Sequence, residues 1–404
     1  MATPSISEAA PGPSPLALSL VLSATSILGM LGTSSFAALL PEFQRLWGLS
    51  NTEAGWISAL FFAGYVAGVP LLVGSTDRID PRKIYLGSLG LGALASFGYA
   101  FLAQGLWSAI AFRALAGMGL AGTYMPGLKL LTDRYYGEKQ GRYVAFYTAG
   151  FSFGTAVSFA FTGEIADWLG WQAPFWGAGL GSLVSFGLIW FLVPPSLDTA
   201  PRGPLLDFRP VFRNRAAMAF VLAYAGHTYE LFALRGWLVA YLIFASRQVG
   251  GSGDISYASW LTTATVLIST AASIYGAEVA ASRDRRKIIG RIMILSVLGA
   301  AAAGFSSGLP VWLVASLCCL YSMLIMADSA ALTGGAVVSS PVHQRGATLA
   351  VHSVLGFSGA VVGPLAVGLV LDAAGGASNY FAWGLAFLAM GAGSFAALFA
   401  IRKL

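Results

Sequence analysis

The chain has 404 residues, of which 57% are hydrophobic and only 10% are charged, and its mean hydropathy is +0.73. Soluble domains carry about 25% charged residues, so this composition excludes a soluble globular protein and predicts a membrane protein. The formal net charge of +6 does not indicate nucleic-acid binding, because the basic residues follow the loops between apolar segments.

Residues 1–15 are polar, Pro-rich and free of Lys and Arg, which predicts a disordered cytoplasmic tail rather than a signal peptide. Apolar segments follow, and crossing a bilayer takes about 20 such residues. Polar residues 194–215 form the longest internal gap and predict a cytoplasmic linker. The twelve predicted segments are 16–40, 52–75, 84–103, 106–131, 142–163, 171–193, 216–245, 256–280, 288–307, 310–338, 346–371 and 380–400.

Basic residues in the connections determine the predicted orientation. With the N-terminus inside, the cytoplasmic connections and the C-terminus hold 18 Lys and Arg residues, whereas the outer loops hold only Arg45 and Arg247. This bias follows the positive-inside rule and supports twelve segments, because one missed helix would scramble the alternation. We therefore predict a multi-pass protein of the plasma (inner) membrane with both termini in the cytoplasm.

The two groups of six segments resemble each other. Asp80-Pro81-Arg82-Lys83 after segment two matches Asp284-Arg285-Arg286-Lys287 after segment eight. Gly141, Gly154, Gly163 and Asp167 recur 205 residues later as Gly346, Gly359, Gly368 and Asp372. Two six-helix repeats joined by a long inner connection are typical of transporters that bind their substrate at the midplane.

Three motifs carry a family resemblance. The loop after segment two places Asp77, Arg78, Arg82 and Lys83 at the acidic and basic positions of a known loop motif. Residues 113–119, RALAGMG, are similar to an Arg-Gly motif of the fourth helix in the same family. Residues 359–368, GAVVGPLAVG, look like the glycine-proline motif of drug/proton antiporters, which have it in their fifth helix.

With these motifs, the chain resembles a major facilitator superfamily transporter over nearly its whole length. The resemblance implies an all-α membrane protein with twelve transmembrane helices in two six-helix pseudo-repeats, here residues 16–193 and 216–404. It also implies an inner gate formed by Asp77 with Arg78 and Arg82, for which simple topogenic charge is the alternative. Alternating access of a midplane cavity to the two sides is the mechanism implied.

Segment seven holds ionisable residues at membrane depth, where they usually face a protein interior or a wet cavity. Glu230, Trp237 and Tyr241 lie near one line of the helix, whereas Arg235 lies about 140° from Glu230. His227 and Glu230, three residues apart, can touch and are predicted to form a protonation site. A structural pair between the halves is the alternative. Trp237 and Tyr241 are predicted to form a wall for an organic substrate or to anchor at the lipid interface.

Two further segments hold candidate groups. Arg113 in segment four shares its helix side with Tyr124. It is predicted to bind an anionic substrate or to adjust the proton affinity of a carboxylate. The alternative is a structural Arg bonded to backbone carbonyls. Asp328 lies in segment ten, with Tyr321 one heptad earlier on the same face. Two roles for Asp328 are favoured equally: a functional role in binding or coupling, and a structural role. His352 shares a glycine stripe in segment eleven and is predicted to be a packing residue.

These observations predict a secondary active transporter for a small solute, coupled to protons and embedded in the lipid bilayer as a monomer. Arg113 beside a glycine-lined helix face favours a small organic anion, and Arg235 is a further candidate contact. The alternative is a multidrug efflux antiporter, while a membrane sensor or a membrane enzyme fits less well. Without CxxC, HExxH or GxxxxGK[ST], we expect no metal, no cofactor and no enzyme activity.

Overall fold

The computed structural model describes residues 14–135, 140–195 and 208–403, and every regular element in these ranges is a helix. Most of the predicted tail and most of the predicted linker lie outside these ranges. The first helices are α1 (Pro15–Gly29), α2 (Ser35–Ala38), α3 (Leu40–Trp47), α4 (Asn51–Gly68), α5 (Pro81–Leu102), α6 (Leu106–Thr132), α7 (Gln140–Leu169) and α8 (Ala173–Leu192). The later helices are α9 (Arg209–Arg213), α10 (Arg215–Gln248), α11 (Ile255–Ser282), α12 (Arg285–Gly304), α13 (Val311–Ala327), α14 (Ser329–Val338), α15 (Arg345–Ala373) and α16 (Tyr380–Lys403).

Ten helical stretches in the described ranges are long and apolar enough to cross a membrane. The other two predicted segments are also helical: α1 has 15 residues, and α6 has 27 and carries Arg113 and Lys129 in its otherwise apolar sequence. A helix thus lies at each of the twelve predicted segments. The all-α membrane fold is confirmed, and the count of twelve crossings stays a prediction.

Helix α10 is the centre of the C-terminal half. In its most apolar stretch 94% of the residues are buried, against 28–56% for the nine other candidate spans in the described ranges. It packs against α13, α14, α15 and α16, and it also contacts α2 and α3 of the N-terminal half. The polar residues of segment seven are therefore surrounded by protein, as their cost in lipid requires.

Glycines permit the closest helix crossings. A Cβ at Gly359 in α15 would overlap the carbonyl oxygen of Ala225 in α10, and a Cβ at Gly117 in α6 would overlap that of Phe61 in α4. Lipid gives helices no hydrophobic drive to associate, so small residues that let backbones approach supply much of the packing. The predicted glycine stripe of segment eleven is a packing surface of this kind.

Two helix breaks place polar groups at depth. Helix α1 ends at Gly29, and turns continue to Ser34 before α2 begins, so carbonyl groups near Gly32 lack helical partners. Segment ten is divided into α13 and α14 at Asp328. Both breaks lie beside the candidate site.

The repeated acidic residues of the inner loops begin two corresponding helices. Asp80 accepts a hydrogen bond from the backbone N–H of Arg82 at the start of α5, over 2.9 Å. Asp284 accepts one from the backbone N–H of Lys287 at the start of α12, over 3.2 Å, and this bond lowers the pKa of Asp284. The sequence repeat thus has the same capping role in both halves.

Candidate functional site

Arg113 is held by the broken end of the first segment. Its Nη1 donates to the carbonyl of Gly32 over 3.1 Å and its Nη2 donates to that of Thr33 over 3.0 Å. The guanidinium also lies 4.2 Å from the ring centre of Phe61, and the residue is only 5% exposed. The contacts match the structural alternative, an Arg bonded to backbone carbonyls.

Arg235 on α10 has far fewer contacts. It is 7% exposed. Among the described residues, its guanidinium makes one hydrogen-bond contact, from Nη2 to Met326 Sδ over 4.0 Å. Its Nε has no hydrogen-bond partner among the described residues. The ring of Phe232 lies 5.9 Å away. A buried guanidinium with so few acceptors needs a counter-charge or water from the adjoining cavity.

The two arginines line one cavity of about 40 Å³ between the halves of the chain. None of its lining residues in the described ranges is acidic. A second cavity of about 30 Å³, inside the N-terminal half, also borders Arg113. The residues of the first cavity are Thr33, Ser34, Ala37, Ser58, Phe62, Arg113, Leu120, Phe151, Thr155, Phe159, Phe232, Arg235, Gly236, Phe357 and Pro364.

Glu230 lies away from this cavity, in the core of the C-terminal half. It is fully buried and accepts hydrogen bonds from three hydroxyl groups on three helices: Ser296 over 3.0 Å, Tyr321 over 2.7 Å, and Ser394. Tyr321, predicted beside Asp328, therefore pairs with Glu230 instead. The three donors satisfy a carboxylate that would otherwise be costly to bury.

His227 pairs with Asp328 rather than with its helix neighbour. The Nδ1 atom of His227 lies 2.7 Å from Oδ1 of Asp328, and both side chains are almost completely buried. The sequence favoured a pair between His227 and Glu230, but packing of the α13–α14 break against α10 gives the two residues different partners. Asp328 therefore has a specific ionisable partner, which the sequence left open.

The His227–Asp328 pair belongs to a stack of rings. Tyr224 lies between two histidines, with ring centres 5.3 Å from His227 and 4.0 Å from His352. The Nε2 atom of His352 lies 3.1 Å from the hydroxyl of Thr333. His352 thus combines the predicted packing role with a place in a polar cluster.

Three predicted site residues do not line the cavity between the halves. Trp237 is fully buried and donates to the carbonyl of Pro364 over 2.9 Å. Tyr241 is also fully buried, and its hydroxyl donates to backbone carbonyls at the end of α12. Tyr124 packs edge-on against Phe151, which does line the cavity, with ring centres 5.0 Å apart. Neither a substrate wall nor a lipid anchor describes Trp237 and Tyr241, which are core residues.

The predicted inner-gate residues Arg78 and Arg82 have different surroundings in the structure. Arg82 donates to the carbonyl of Trp190 over 2.6 Å and lies over its ring, so it joins α5 to α8 within one half. Arg78 is exposed. Asp77 ends the short 3₁₀ helix Gly74–Asp77, and its side chain lies outside the described part of the structure. The gating role of Asp77 stays a prediction.

Sequence reasoning missed the phenylalanines of the cavity. Phe62, Phe232 and Phe357 come from three helices and two halves, and the rings of Phe62 and Phe232 are 4.4 Å apart. In an apolar helix a ring facing a cavity has the same sequence signature as a ring facing lipid, so no pattern in the sequence could have separated them.

Comparison with known proteins gives one family. The family model for the Major Facilitator Superfamily matches residues 22–251. An uncharacterised MFS-type transporter of Bacillus subtilis, YbcL, is 26% identical over 251 residues, or 62% of each chain. Two Escherichia coli proteins are 27% identical: a probable L-galactonate transporter, matched over 55% of this chain and 53% of its own, and a 3-(3-hydroxy-phenyl)propionate transporter, matched over 53% and 54%.

A solved structure supports the same fold. The crystal structure of a bacterial homolog of the human lysosomal transporter Spinster, inward-facing and occupied, superposes with a TM-score of 0.80 over 96% of both chains at 16% identity. At that identity the likeness concerns the fold alone. The sequence matches described above span 62% or less of the length of the relatives concerned.

Proposed function

Since the chain belongs to the Major Facilitator Superfamily, we propose that it is a secondary active transporter that moves a small organic anion by alternating access, coupled to protons. One observation carries the choice of an anion. Arg113 and Arg235, one from each half, line the same cavity, and no described lining residue is acidic.

The electrostatics of this cavity support an anionic substrate. Two buried guanidinium groups on one cavity repel each other, and each has lost the hydration of bulk water. An anion that enters between the halves offsets both costs, and the planar guanidinium fork matches a carboxylate. Because the two cations come from different halves, the bound anion would also draw the halves together, as alternating access requires.

The names of two relatives support the same class. They are named for L-galactonate and for 3-(3-hydroxy-phenyl)propionate, which are both carboxylates. A lipophilic cation, the cargo expected for multidrug efflux, would meet two arginines and no described acidic lining residue. The glycines that suggested efflux have a packing role, because a Cβ at Gly363 or Gly368 would overlap the carbonyls of Tyr229 or Asn51.

We assign proton coupling to the buried acids of the C-terminal half. Hydroxyl groups both donate and accept, so the three around Glu230 can serve its charged or its protonated form. The His227–Asp328 pair is a second proposed coupling site, because a proton on either member changes the charge of the pair. Both are proposed sites, and the sequence favoured Glu230.

Flux measurements with purified protein in proteoliposomes test this proposal. Under a proton gradient we expect at least one of the organic anions benzoate, lactate and gluconate to be transported, and the lipophilic cation tetraphenylphosphonium not to be. Arg235→Gln should abolish anion transport. Arg247→Gln, which removes the same charge from an exposed position of the same helix, should leave it unchanged. Transport of tetraphenylphosphonium without any organic anion would overturn the proposal.

A further inference from the structure

The cavity between the halves also indicates which kind of anion it binds. We infer that the substrate is a monocarboxylate with a flat apolar body, such as an aromatic acid, and that Arg235 binds its carboxylate. This inference rests on the proposed function and deepens it. It follows from the different surroundings of the two arginines and from the rings between them.

Arg113 is better compensated than Arg235 without a ligand, although the Nε atoms of both arginines lack a hydrogen-bond partner among the described residues. Two of the N–H groups of Arg113 donate to the carbonyls of Gly32 and Thr33, in the turns that follow α1, where these carbonyls have no helical partners. Arg235 has only the weak acceptor Met326 Sδ at 4.0 Å, and its Nε has no partner among the described residues. A carboxylate that takes two parallel N–H bonds is the ligand such a fork lacks. Because only one of the two guanidinium groups lacks strong acceptors, we expect the substrate to carry one carboxylate rather than two.

Aromatic rings connect the two arginines. Phe61 lies under Arg113 at 4.2 Å and contacts Phe62 at 5.2 Å, and Phe62 contacts Phe232 at 4.4 Å. Phe232 in turn lies 5.9 Å from Arg235. Since Phe62 and Phe232 belong to different halves, a flat ring bound beside them would contact both. The cavity of about 40 Å³ is smaller than the roughly 150 Å³ that a benzene ring needs, so the halves must part to admit such a substrate, as alternating access provides. Aromatic pairs prefer stacked or edge-on contacts at such distances.

The hydroxyl groups of the lining leave little room for a polyhydroxy substrate. Ser34 and Thr155 donate to the backbone carbonyls of Thr155 and Phe151, so their protons are already used. Ser58 is buried, and its hydroxyl has no partner among the described residues. The cavity can therefore satisfy few polar substituents, through the hydroxyls of Ser58 and Thr33. Several hydroxyls against phenylalanine rings would be left without partners, which is unfavourable.

A ligand panel tests the inference on the wild-type protein in detergent. Benzoate, gluconate, terephthalate and benzamide differ in ring, hydroxyl content and charge, and binding would be measured by ligand-dependent thermal stabilisation and by competition in counterflow. We expect benzoate to bind at least about tenfold more tightly than the other three, the loss typical of one missing charged or apolar contact. Preference for gluconate or terephthalate would overturn the inference while leaving anion transport intact. If no anion binds or moves, the proposed function itself fails.

Variants locate the carboxylate and the ring. Arg235→Lys should weaken benzoate binding about tenfold, because Lys lacks the planar fork. Arg113→Lys should lower thermal stability more than affinity, because it loses the paired bonds to the carbonyls of Gly32 and Thr33. Phe232→Leu should reduce the preference for benzoate over gluconate, with Phe395→Leu, at an exposed position of α16, as the control. Unchanged benzoate affinity in Arg235→Lys would overturn the assignment. The wild-type panel decides the substrate class even if a variant fails to fold.

Discussion

The carboxylate of Asp372, near the end of α15, accepts two hydrogen bonds from Thr52 at the start of α4, 2.8 Å from its backbone N–H and 2.6 Å from its hydroxyl. Asn51 adds bonds to the other carboxylate oxygen from its backbone N–H and its amide. The acid thus caps a helix of the opposite half, where a negative charge is favourable. Glu164 of α7 contacts Ser256 of α11 in a related way. Under the predicted topology these contacts hold the outer ends of the halves together.

Asp372→Asn should weaken this outer contact. Removing the charge of an acceptor in hydrogen bonds of this kind costs roughly 1–3 kcal/mol. The outward-closed state loses this stabilisation, so the outward-open state should be favoured. In a background without Cys318 and Cys319, a cysteine replacing cavity residue Ser58 should react faster with an impermeant maleimide from outside. Asp167→Asn is the control, because this residue matches Asp372 in the sequence repeat yet is exposed. Equal labelling rates would show that the contact does not hold the outer side closed.

The buried acids of the C-terminal half should separate coupling from exchange. Glu230→Gln and Asp328→Asn each mimic a protonated acid, and the variant that affects the coupling site should keep substrate exchange but lose accumulation driven by a pH gradient. His227→Ala should shift the pH dependence of transport, because it removes the partner of Asp328. The measurement compares counterflow with gradient-driven uptake in proteoliposomes. Normal accumulation in both acid variants would place coupling elsewhere.

Gly359→Ala should destabilise the crossing of α10 and α15. The added Cβ would overlap the carbonyl of Ala225, and relieving such overpacking typically costs about 1–3 kcal/mol. We expect a lower thermal midpoint and less folded protein. Gly346→Ala in the same helix is the matched control, because a Cβ there meets no atom within 4 Å. Equal midpoints for the two variants would argue against close packing at Gly359.

Asp77→Asn should slow transport with little loss of folded protein, if its carboxylate holds helix ends at the inner gate. Asp80→Ala provides the contrast, because it removes the cap of α5 and should cost about 0.5–2 kcal/mol of stability. Turnover numbers per folded molecule distinguish the two effects. A wild-type turnover in Asp77→Asn would leave this residue as a topogenic charge.

Both termini should lie in the cytoplasm, because 18 basic residues fall on the predicted inner side and two on the outer side. Reporter fusions after Ser196 and at Leu404 should both give an inside signal. An outside signal from either fusion would contradict the twelve-helix topology.

Much of the architecture was determined by the sequence alone. Hydropathy located the helices, because crossing a bilayer requires long apolar runs whose backbone groups are bonded internally. The ionisable residues of segment seven indicated a helix enclosed by protein, and α10 is the most buried candidate span in the described ranges. The repeated Asp80 and Asp284 indicated equivalent loops, and both begin helices. These features depend on local composition and spacing.

The site was decided by the tertiary structure. Sequence spacing shows which residues share one side of a helix, but it does not show which neighbouring helix that side meets. In the packed structure His227 therefore contacts Asp328, and Glu230 contacts Tyr321, although His227 and Glu230 are neighbours on one helix. The break after α1 supplied the carbonyls for Arg113, and the junction of the halves brought Phe62 to Phe232. Each of these contacts joins residues distant in the chain, so each forms only when side chains on several helices pack together.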